Sequence, residues 1–201
     1  MYGETDAVLI ERTLKGDEHA FAELVRRYQA AVWGTVHRLL GNSSEKEDAV
    51  QETFFRAFIA LGKFDPQYSF GSWVLRIAVN YCIDQLRKRK NKRFWLWSEL
   101  GEMEQKRLLR DLTQAGDVEF SETTYPEGYA EAARSLLNEL KPKYKTAFVL
   151  REVEEREYGE VAEILGTTEI AARVRVSRAR SELRKKLTRI FHIEATSKNE
   201  K

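Results

Sequence analysis

Residues 158–180 read YGEVAEILGTTEIAARVRVSRAR, and this stretch decides the fold of the second half of the chain. Its first eight residues have the apolar spacing of a short amphipathic helix, and Gly166 can adopt a positive φ at the end of that helix. Thr167 or Thr168 can cap a second helix, which is longer and basic. A short helix, a brief turn that contains glycine and a longer basic helix form the pattern of a helix-turn-helix.

The second of these helices has two faces of different composition. An apolar stripe at helical spacing predicts its buried side, which comprises Ala172, Val176, Ala179, Leu183, Leu187 and Ile190. Ile170 and Val174 lie on the opposite side, where folding alone gives no reason to expose them. In a major groove they can contact thymine methyl groups, while Arg173 or Arg178 contacts guanine or phosphate. The pattern favours DNA binding over the alternative, a basic solvated helix with Ile170 packed locally.

A helix from about Ser72 to about Arg89 also has two contrasting faces. Its inward stripe is apolar and holds Leu75, Val79, Cys82 and Leu86. The opposite side combines an aromatic ring, an amide, a carboxylate and guanidinium groups, and comprises Trp73, Arg76, Ile77, Asn80, Asp84 and Arg87. This composition is typical of single-strand readers, since rings stack on bases, amides and acids read base edges, and cations bind phosphates. Taken alone, Trp73 is more often a core residue, and Cys82 a small buried hydrophobe.

The preceding helix has a face that fits a protein partner. Ser44 and Glu47 have the spacing of a capping box, which predicts the start of this helix. Its core stripe holds Val50, Phe54, Ala57, Phe58 and Leu61. The opposite side mixes acids with large apolar groups and comprises Asp48, Gln51, Glu52, Phe55 and Ile59. Such a face fits a basic, partly apolar partner, and equally a further helix of the same domain that covers it.

Charge is segregated along the chain although it nearly cancels overall. The 201 residues carry 34 Lys and Arg against 32 Asp and Glu, a net charge of +2. Residues 87–93 hold six cations in seven positions, whereas 99–131 has nine acids and three bases. Helical periodicity on both sides of the acidic stretch predicts an all-α protein, with two small helical domains joined by a flexible acidic linker and the C-terminal one a helix-turn-helix. The predicted bounds are 1–97 and 129–195 for the domains, 98–128 for the linker with one short helix near 102–112, and 196–201 for a frayed tail.

Composition argues against several classes of function. Cys82 is the one cysteine, which excludes an internal disulfide and fits a reducing compartment. The three histidines and Cys82 show no ligand spacing for a metal. No apolar run reaches the roughly 18–20 residues of a membrane span, and the acidic N-terminus is not a secretory signal. No nucleophile and base are set together, so we expect no catalysis and no cofactor. The single cysteine, the lack of an apolar span and the lack of a secretory signal predict a cytoplasmic protein.

Three segments taken together resemble a known family. Residues 44–58, with EDAVQETFFRAF at 47–58, are similar to the helix by which bacterial sigma factors bind the β′ clamp of RNA polymerase. FGSWVLRIAVN at 70–80, with Asp84 and Arg87, resembles the sigma segment that melts and reads the −10 promoter element. The stretch from Leu140 through the helix-turn-helix to Arg180 resembles the domain that reads the −35 element. The order and spacing are similar to the extracytoplasmic-function (ECF) group of the sigma-70 family, over about 5–97 and 129–191.

This resemblance implies a protein that directs core RNA polymerase to promoters, traps the melted non-template strand and catalyses no reaction. Its implied partners are core polymerase (β′ clamp and β flap), promoter DNA, duplex at −35 and single-stranded at −10, and an anti-sigma factor. The acidic linker resembles the sigma segment that runs toward the RNA exit path. The implied −10 site comprises Phe70, Trp73, Arg76, Asn80, Asp84, Arg87 and Lys88. The implied −35 site comprises Thr168, Ile170, Arg173, Val174, Arg175, Ser177, Arg178 and Arg180. The implied polymerase-binding site comprises Asp48, Gln51, Glu52 and Phe55.

The recognition helix departs from the family pattern at its start. Residues 170–175 read IAARVR where relatives commonly have GTVKSR, and Thr167 stands where an apolar turn residue is usual. The loss of hydroxyl groups, with Val174 outward, removes the basis for an inherited −35 preference.

Three other functions are weighed against a sigma factor. A dimeric helix-turn-helix repressor leaves the Asn80 and Asp84 face unexplained. A sigma mimic that sequesters an anti-sigma factor does not need cationic faces at both ends of the chain. A hydrolase is the weakest alternative, because no catalytic set of residues is recognisable.

Overall fold

The helical periodicity of the sequence corresponds to packed helices in the computed structural model, which describes residues 4–41, 43–99 and 135–198. The helices are α1 (Asp6–Leu14), α2 (Glu18–Leu40), α3 (Lys46–Ala60), α4 (Phe70–Glu99), α5 (Pro142–Phe148), α6 (Tyr158–Leu165) and α7 (Glu169–Lys198). A 3-10 turn, Leu61–Lys63, follows α3, and a π-helical turn, Val149–Val153, follows α5. No strand occurs within the described ranges, and the all-α prediction is confirmed. The predicted linker and its short helix fall outside the described residues, apart from 98 and 99 at the end of α4.

Side chains cap the N-termini of two long helices. The carboxylate of Asp17 accepts hydrogen bonds from the backbone N–H groups of His19 and Ala20, at 3.0 and 3.3 Å, and so caps α2. The hydroxyl of Ser69 accepts from the backbone N–H of Ser72 at 3.0 Å, which caps α4. α4 therefore begins two residues before the predicted start.

The prediction of a capping box at the start of α3 is wrong. α3 begins at Lys46, and no side chain caps its first turn. The hydroxyl of Ser43 instead accepts from the backbone N–H of Glu45 at 3.1 Å. Because Ser43 stabilises the turn before the helix, Ser44 is left exposed in that turn and does not act as the cap.

The core of the first half lies among α2, α3 and α4. Its fully buried side chains include Leu24, Val32, Val36, Leu39, Ala57, Val74, Val79 and Cys82. Burial raises the pKa of the Cys82 thiol to about 12, so this cysteine is a protonated core residue at neutral pH. Phe58, which the sequence places in the core stripe, is 48% exposed. It lies about 80° around the helix from Val50, at the margin of the stripe.

The second half has a small core of its own and also packs against the first half. Leu140, Tyr144 and Ala179 are buried together where α5 meets α7. A second set of apolar residues, from the π-helical turn and α6, joins the core formed by α2 and α4; it comprises Val149, Leu150, Val161, Ala162 and Ile164. The two halves of the chain therefore share one continuous apolar core in this structure.

Candidate nucleic-acid and polymerase interfaces

The polar face predicted on α4 is open to solvent. Its exposed members are Arg76, Asn80, Asp84, Arg87 and Lys88, whereas Leu75, Val79 and Cys82 on the opposite side are buried. Arg87 Nη1 lies 3.5 Å from Asp84 Oδ1, and both side chains are more than half exposed. An exposed pair at this distance contributes little to stability, so both groups are free to bind another molecule.

A groove between α3 and α4 leads to Asp84. It is lined by Arg56, Tyr81, Asp84, Gln85, Arg87 and Lys88. The guanidinium of Arg56 lies 5.1 Å from the centre of the Tyr81 ring, where it stacks on the aromatic face. The sequence interpretation missed Arg56 and Tyr81. The spacing of Tyr81, Asp84 and Lys88 along one side of α4 is the signal that points to this groove.

Aromatic side chains pack together at the N-terminal end of α4, and the burial of one of them contradicts a predicted site residue. The family resemblance predicts that Phe70 contacts DNA, but Phe70 is only 3% exposed. It packs among Tyr28, Phe64 and Trp73, with ring centroids 5.2, 5.9 and 5.6 Å away. Because Phe70 closes the core beneath the loop before α4, it supports Trp73 and does not face a ligand. Trp73 is half-buried on this cluster, as expected of a core tryptophan.

The face of α3 predicted to bind a partner is also exposed. Phe55 and Ile59 are 60% and 67% exposed, and Asp48 and Gln51 lie in solvent beside them. Among residues 4–41, 43–99 and 135–198 no helix covers this face. Glu52 is partly exposed and pairs with Arg56, with Oε1 2.7 Å from Nε.

The helix-turn-helix has the predicted geometry. Gly166 takes the left-handed conformation, with φ 57° and ψ 48°, at the end of α6. The hydroxyl of Thr168 accepts from the backbone N–H of Ala171 at 3.2 Å, so Thr168 caps α7. Ile170 is 76% and Val174 42% exposed, which excludes local packing of Ile170.

Several cations beside this apolar surface are held by neighbours. Arg173 donates from Nε and Nη2 to Glu169 Oε1, at 3.1 and 2.5 Å, and its guanidinium lies 4.2 Å from the ring centre of Tyr158. Arg180 Nη2 lies 2.7 Å from an oxygen of Glu152. On the other flank, Arg178 donates to the hydroxyl of Tyr144 at 3.1 Å, and this bond lowers the pKa of Tyr144. Ser177 is exposed and Arg175 partly exposed on the same helix.

The described residues contain no group of side chains that could hold a metal ion. Among them there is likewise no helix with the length and apolar character of a membrane span.

An all-helical chain with this turn and this exposed basic helix belongs to the class of helix-turn-helix proteins. Residues 24–92 match the family model for sigma-70 region 2, and residues 130–183 match that for sigma-70 region 4. The chain therefore belongs to the ECF group of the sigma-70 family, and its function is to direct RNA polymerase to promoters.

Full-length relatives support this assignment. The chain is 32% identical over 178 residues to the ECF RNA polymerase sigma factor SigW of Bacillus subtilis, a match that covers 89% of this chain and 94% of that protein. It is also 32% identical over 188 residues to the ECF RNA polymerase sigma-E factor of Haemophilus influenzae, covering 91% and 95%. Family membership favours the sigma factor over the repressor and the hydrolase.

Two solved structures have a similar fold. CnrH, solved in complex with the cytosolic domain of CnrY, matches with a TM-score of 0.59 and 25% identity over 92% of this chain and 98% of that one. The sigma factor RpoE of Bartonella quintana, solved with the anti-sigma factor NepR, matches with a TM-score of 0.58 and 22% identity over 84% and 96%. At 22% identity the second likeness concerns the fold alone.

Proposed function

We propose that the exposed face of α4 holds bases of the melted non-template strand at the −10 element. The observation that carries this proposal is that Asn80 and Asp84 are both exposed, one helical turn apart on α4, among the cations Arg76, Arg87 and Lys88. Asp84 also lines the groove between α3 and α4. An amide and a carboxylate can hydrogen-bond the Watson–Crick edge of an extruded base, while cations bind the phosphates of its strand. Trp73 lies at the N-terminal end of this face, where it supports separation of the two DNA strands.

The energetics of strand separation explain why such a face is needed. Each base-pair step costs about 1.4 kcal/mol of stacking to open, whereas a base held on a protein surface contributes about 1–3 kcal/mol. A few captured bases thus offset the cost of the steps that are opened. Binding alone can stabilise the open duplex, so we propose no catalytic activity and no cofactor for this chain.

The start of α7 is proposed to read the duplex −35 element. Ile170 and Val174 supply the apolar surface for thymine methyl groups, and they lie side by side in solvent. The flanking residues contact guanine or phosphate and fix the position of the helix on the backbone; they are Thr168, Arg173, Arg175, Ser177, Arg178 and Arg180. Since apolar groups occupy the centre of the surface, we expect a preference for thymine there.

The exposed face of α3 is proposed to bind the β′ clamp of core polymerase. Asp48, Gln51 and Glu52 supply polar contacts, and Phe55 supplies an exposed aromatic anchor next to them. The helix-turn-helix half is proposed to contact the β flap. The domain bounds that go with these roles are 1–97 and 129–195.

An anti-sigma factor is proposed as a further partner, and the cytoplasm as the location. Support for the partner comes from CnrH, which was solved with a second protein bound. The location is supported by the function, because sigma factors act with polymerase and DNA.

Replacing Asn80 and Asp84 together by alanine tests the role of α4. We expect at least a tenfold loss of promoter opening with core polymerase, because two base contacts are removed, while duplex binding at −35 is retained. Fluorescence of 2-aminopurine placed in the −10 element measures the opening. Gln29→Ala removes an exposed amide from α2 and is the control that should open promoters normally. Normal opening by the double variant would contradict the proposal.

A further inference from the structure

Arg56 and Tyr81 connect α3 and α4 along the groove, and neither belongs to the sites that the family resemblance implies. Cζ of Arg56 lies over the Tyr81 ring, 5.1 Å from its centre. Nε of the same side chain donates to Glu52 Oε1 at 2.7 Å. Because two neighbours hold this guanidinium, its orientation is restrained before any ligand binds.

One side of the Arg56 guanidinium is available to another molecule. The side chain is 50% exposed although it already contacts both Glu52 and the Tyr81 ring. A guanidinium is planar, and its face stacks on the bases of single strands as an aromatic ring does. Arg56 lying on Tyr81 therefore presents a flat, restrained, cationic surface to solvent.

The other side chains of the groove suit the sugar–phosphate part of a nucleotide. Three of the six lining residues are cations and one is an acid, so the groove is positive overall. Two of these cations, Arg87 and Lys88, are exposed in the turn of α4 that follows Tyr81. A positive groove of this kind attracts the phosphates of a nucleic acid strand.

The size of the groove favours a single base over a protein segment. Its volume is about 250 Å³, whereas pockets for drug-sized ligands have roughly 300–1,000 Å³ and an α-helix with its side chains is about 10–12 Å across. A base inside a duplex has both faces covered by its neighbours. Only an unpaired base can therefore stack on Arg56.

The groove also lies next to the residues proposed to hold the −10 element. Tyr81 follows Asn80 directly in α4, so their Cα atoms are about 3.8 Å apart. Asp84, one turn further along, is exposed and lines the groove as well. A strand with one base held at Asn80 can therefore place the adjacent base on Arg56.

We propose that Arg56 and Tyr81 form a stacking platform for one further unpaired base of the non-template strand, adjacent to the bases held by Asn80 and Asp84. The inference rests on the proposed role of α4. Every base has a π face, so the platform holds a base without reading its identity. It thus stabilises the open promoter at a position where each of the four bases is accepted.

Abasic scanning of the −10 single strand tests this proposal with the full chain bound to core polymerase. The probe is a fluorescent fork-junction DNA with a single-stranded non-template −10 segment, in which one base at a time is removed. At one position we expect removal of the base to weaken binding at least fivefold, while exchange among the four bases changes the affinity less than about twofold. Fluorescence anisotropy measures each affinity.

Tyr81→Leu and Arg56→Met each remove one layer of the stacking platform. Each should bind the intact probe about fivefold more weakly and show no further loss when the base at the platform position is removed, while the losses at other positions remain. Tyr81→Phe keeps the ring and should retain the native profile. Arg26→Met is the matched control, since Arg26 is an exposed arginine of α2 that pairs with Glu23 as Arg56 pairs with Glu52.

The outcomes separate this inference from the proposed role of α4. If replacing Asn80 and Asp84 by alanine removes no abasic loss, the role of α4 is wrong and the platform with it. If that variant removes losses of its own while Tyr81→Leu and Arg56→Met remove none, the platform alone is overturned. Equal weakening at every position would mean that Arg56 and Tyr81 only join two helices, which also overturns it. Arg56→Met changes an exposed residue and keeps the test decisive if Tyr81→Leu does not fold.

Discussion

At the scale of single residues, Tyr158 links the two helices of the helix-turn-helix. The guanidinium groups of Arg173 and Arg151 lie 4.2 and 5.0 Å from the centre of its ring. Glu169 also restrains Arg173, which donates two hydrogen bonds to one of its carboxylate oxygens. A long side chain that is restrained before it meets DNA loses less conformational entropy on binding. Tyr158 therefore positions Arg173 without reading a base itself.

Replacing Tyr158 by leucine is expected to weaken binding of a −35 duplex about two- to fivefold, because one exposed cation–π contact is lost. Phenylalanine keeps the ring and should bind as tightly as the native chain. Fluorescence anisotropy with the full chain measures both variants. Equal affinities for the leucine and phenylalanine variants would show that Tyr158 does not position Arg173.

Lys145 gives the fold a dependence on pH. Burial lowers its pKa from the ordinary 10.5 to about 8. Between these values the unfolded chain binds more protons than the folded one, so the free energy of unfolding rises with pH. Cys82 has the opposite effect above pH 9, since its pKa is raised to about 12.

In a Cys82→Ala background, we expect the free energy of unfolding in urea to rise by about 1 kcal/mol between pH 8 and pH 9 because of Lys145. Adding Lys145→Met removes the group that titrates and should flatten this rise. An equal rise in both proteins would mean that Lys145 is not the cause.

At the scale of elements, helical spacing predicts where helices lie but not what they pack against. α6 has the predicted bounds, and Gly166 and Thr168 have the predicted roles, because these signals are local in the chain. Phe70 was misplaced because a large aromatic residue at a helix start fits a core and a binding site equally well. The contact between the two halves could not be predicted, since the apolar spacing of Val161 and Ala162 indicates that they are buried but not which element covers them.

The exposed face of α3 gives a prediction at this scale. Asp48→Arg should weaken binding to core polymerase about tenfold, because it reverses a charge within the proposed contact. Asp48 is exposed in the first turn of α3, so the fold should be kept, and a cation there should lower the free energy of unfolding by about 1 kcal/mol or less through the helix dipole. Glu47→Arg makes the same charge change at the neighbouring exposed residue and serves as the control in a binding titration. Unchanged affinity of the Asp48 variant would count against this interface.

At the scale of the whole molecule, the two halves of the chain share one continuous apolar core. Two buried polar contacts cross between them: the Thr35 hydroxyl donates to the Glu154 carboxylate, and Lys145 Nζ donates to the backbone carbonyl of Leu39. Because a buried polar group that loses its partner is costly, these contacts hold the two halves in one register.

Photocrosslinking in the open promoter complex tests most directly whether α4 holds unpaired bases. A benzoylphenylalanine in place of Tyr81 lies in the groove next to Asp84. It should crosslink to the non-template strand within the −10 element, whereas the same group at Gln29 on α2 should not. Crosslinks from position 81 to polymerase alone, with none to the non-template strand, would contradict the role assigned to α4.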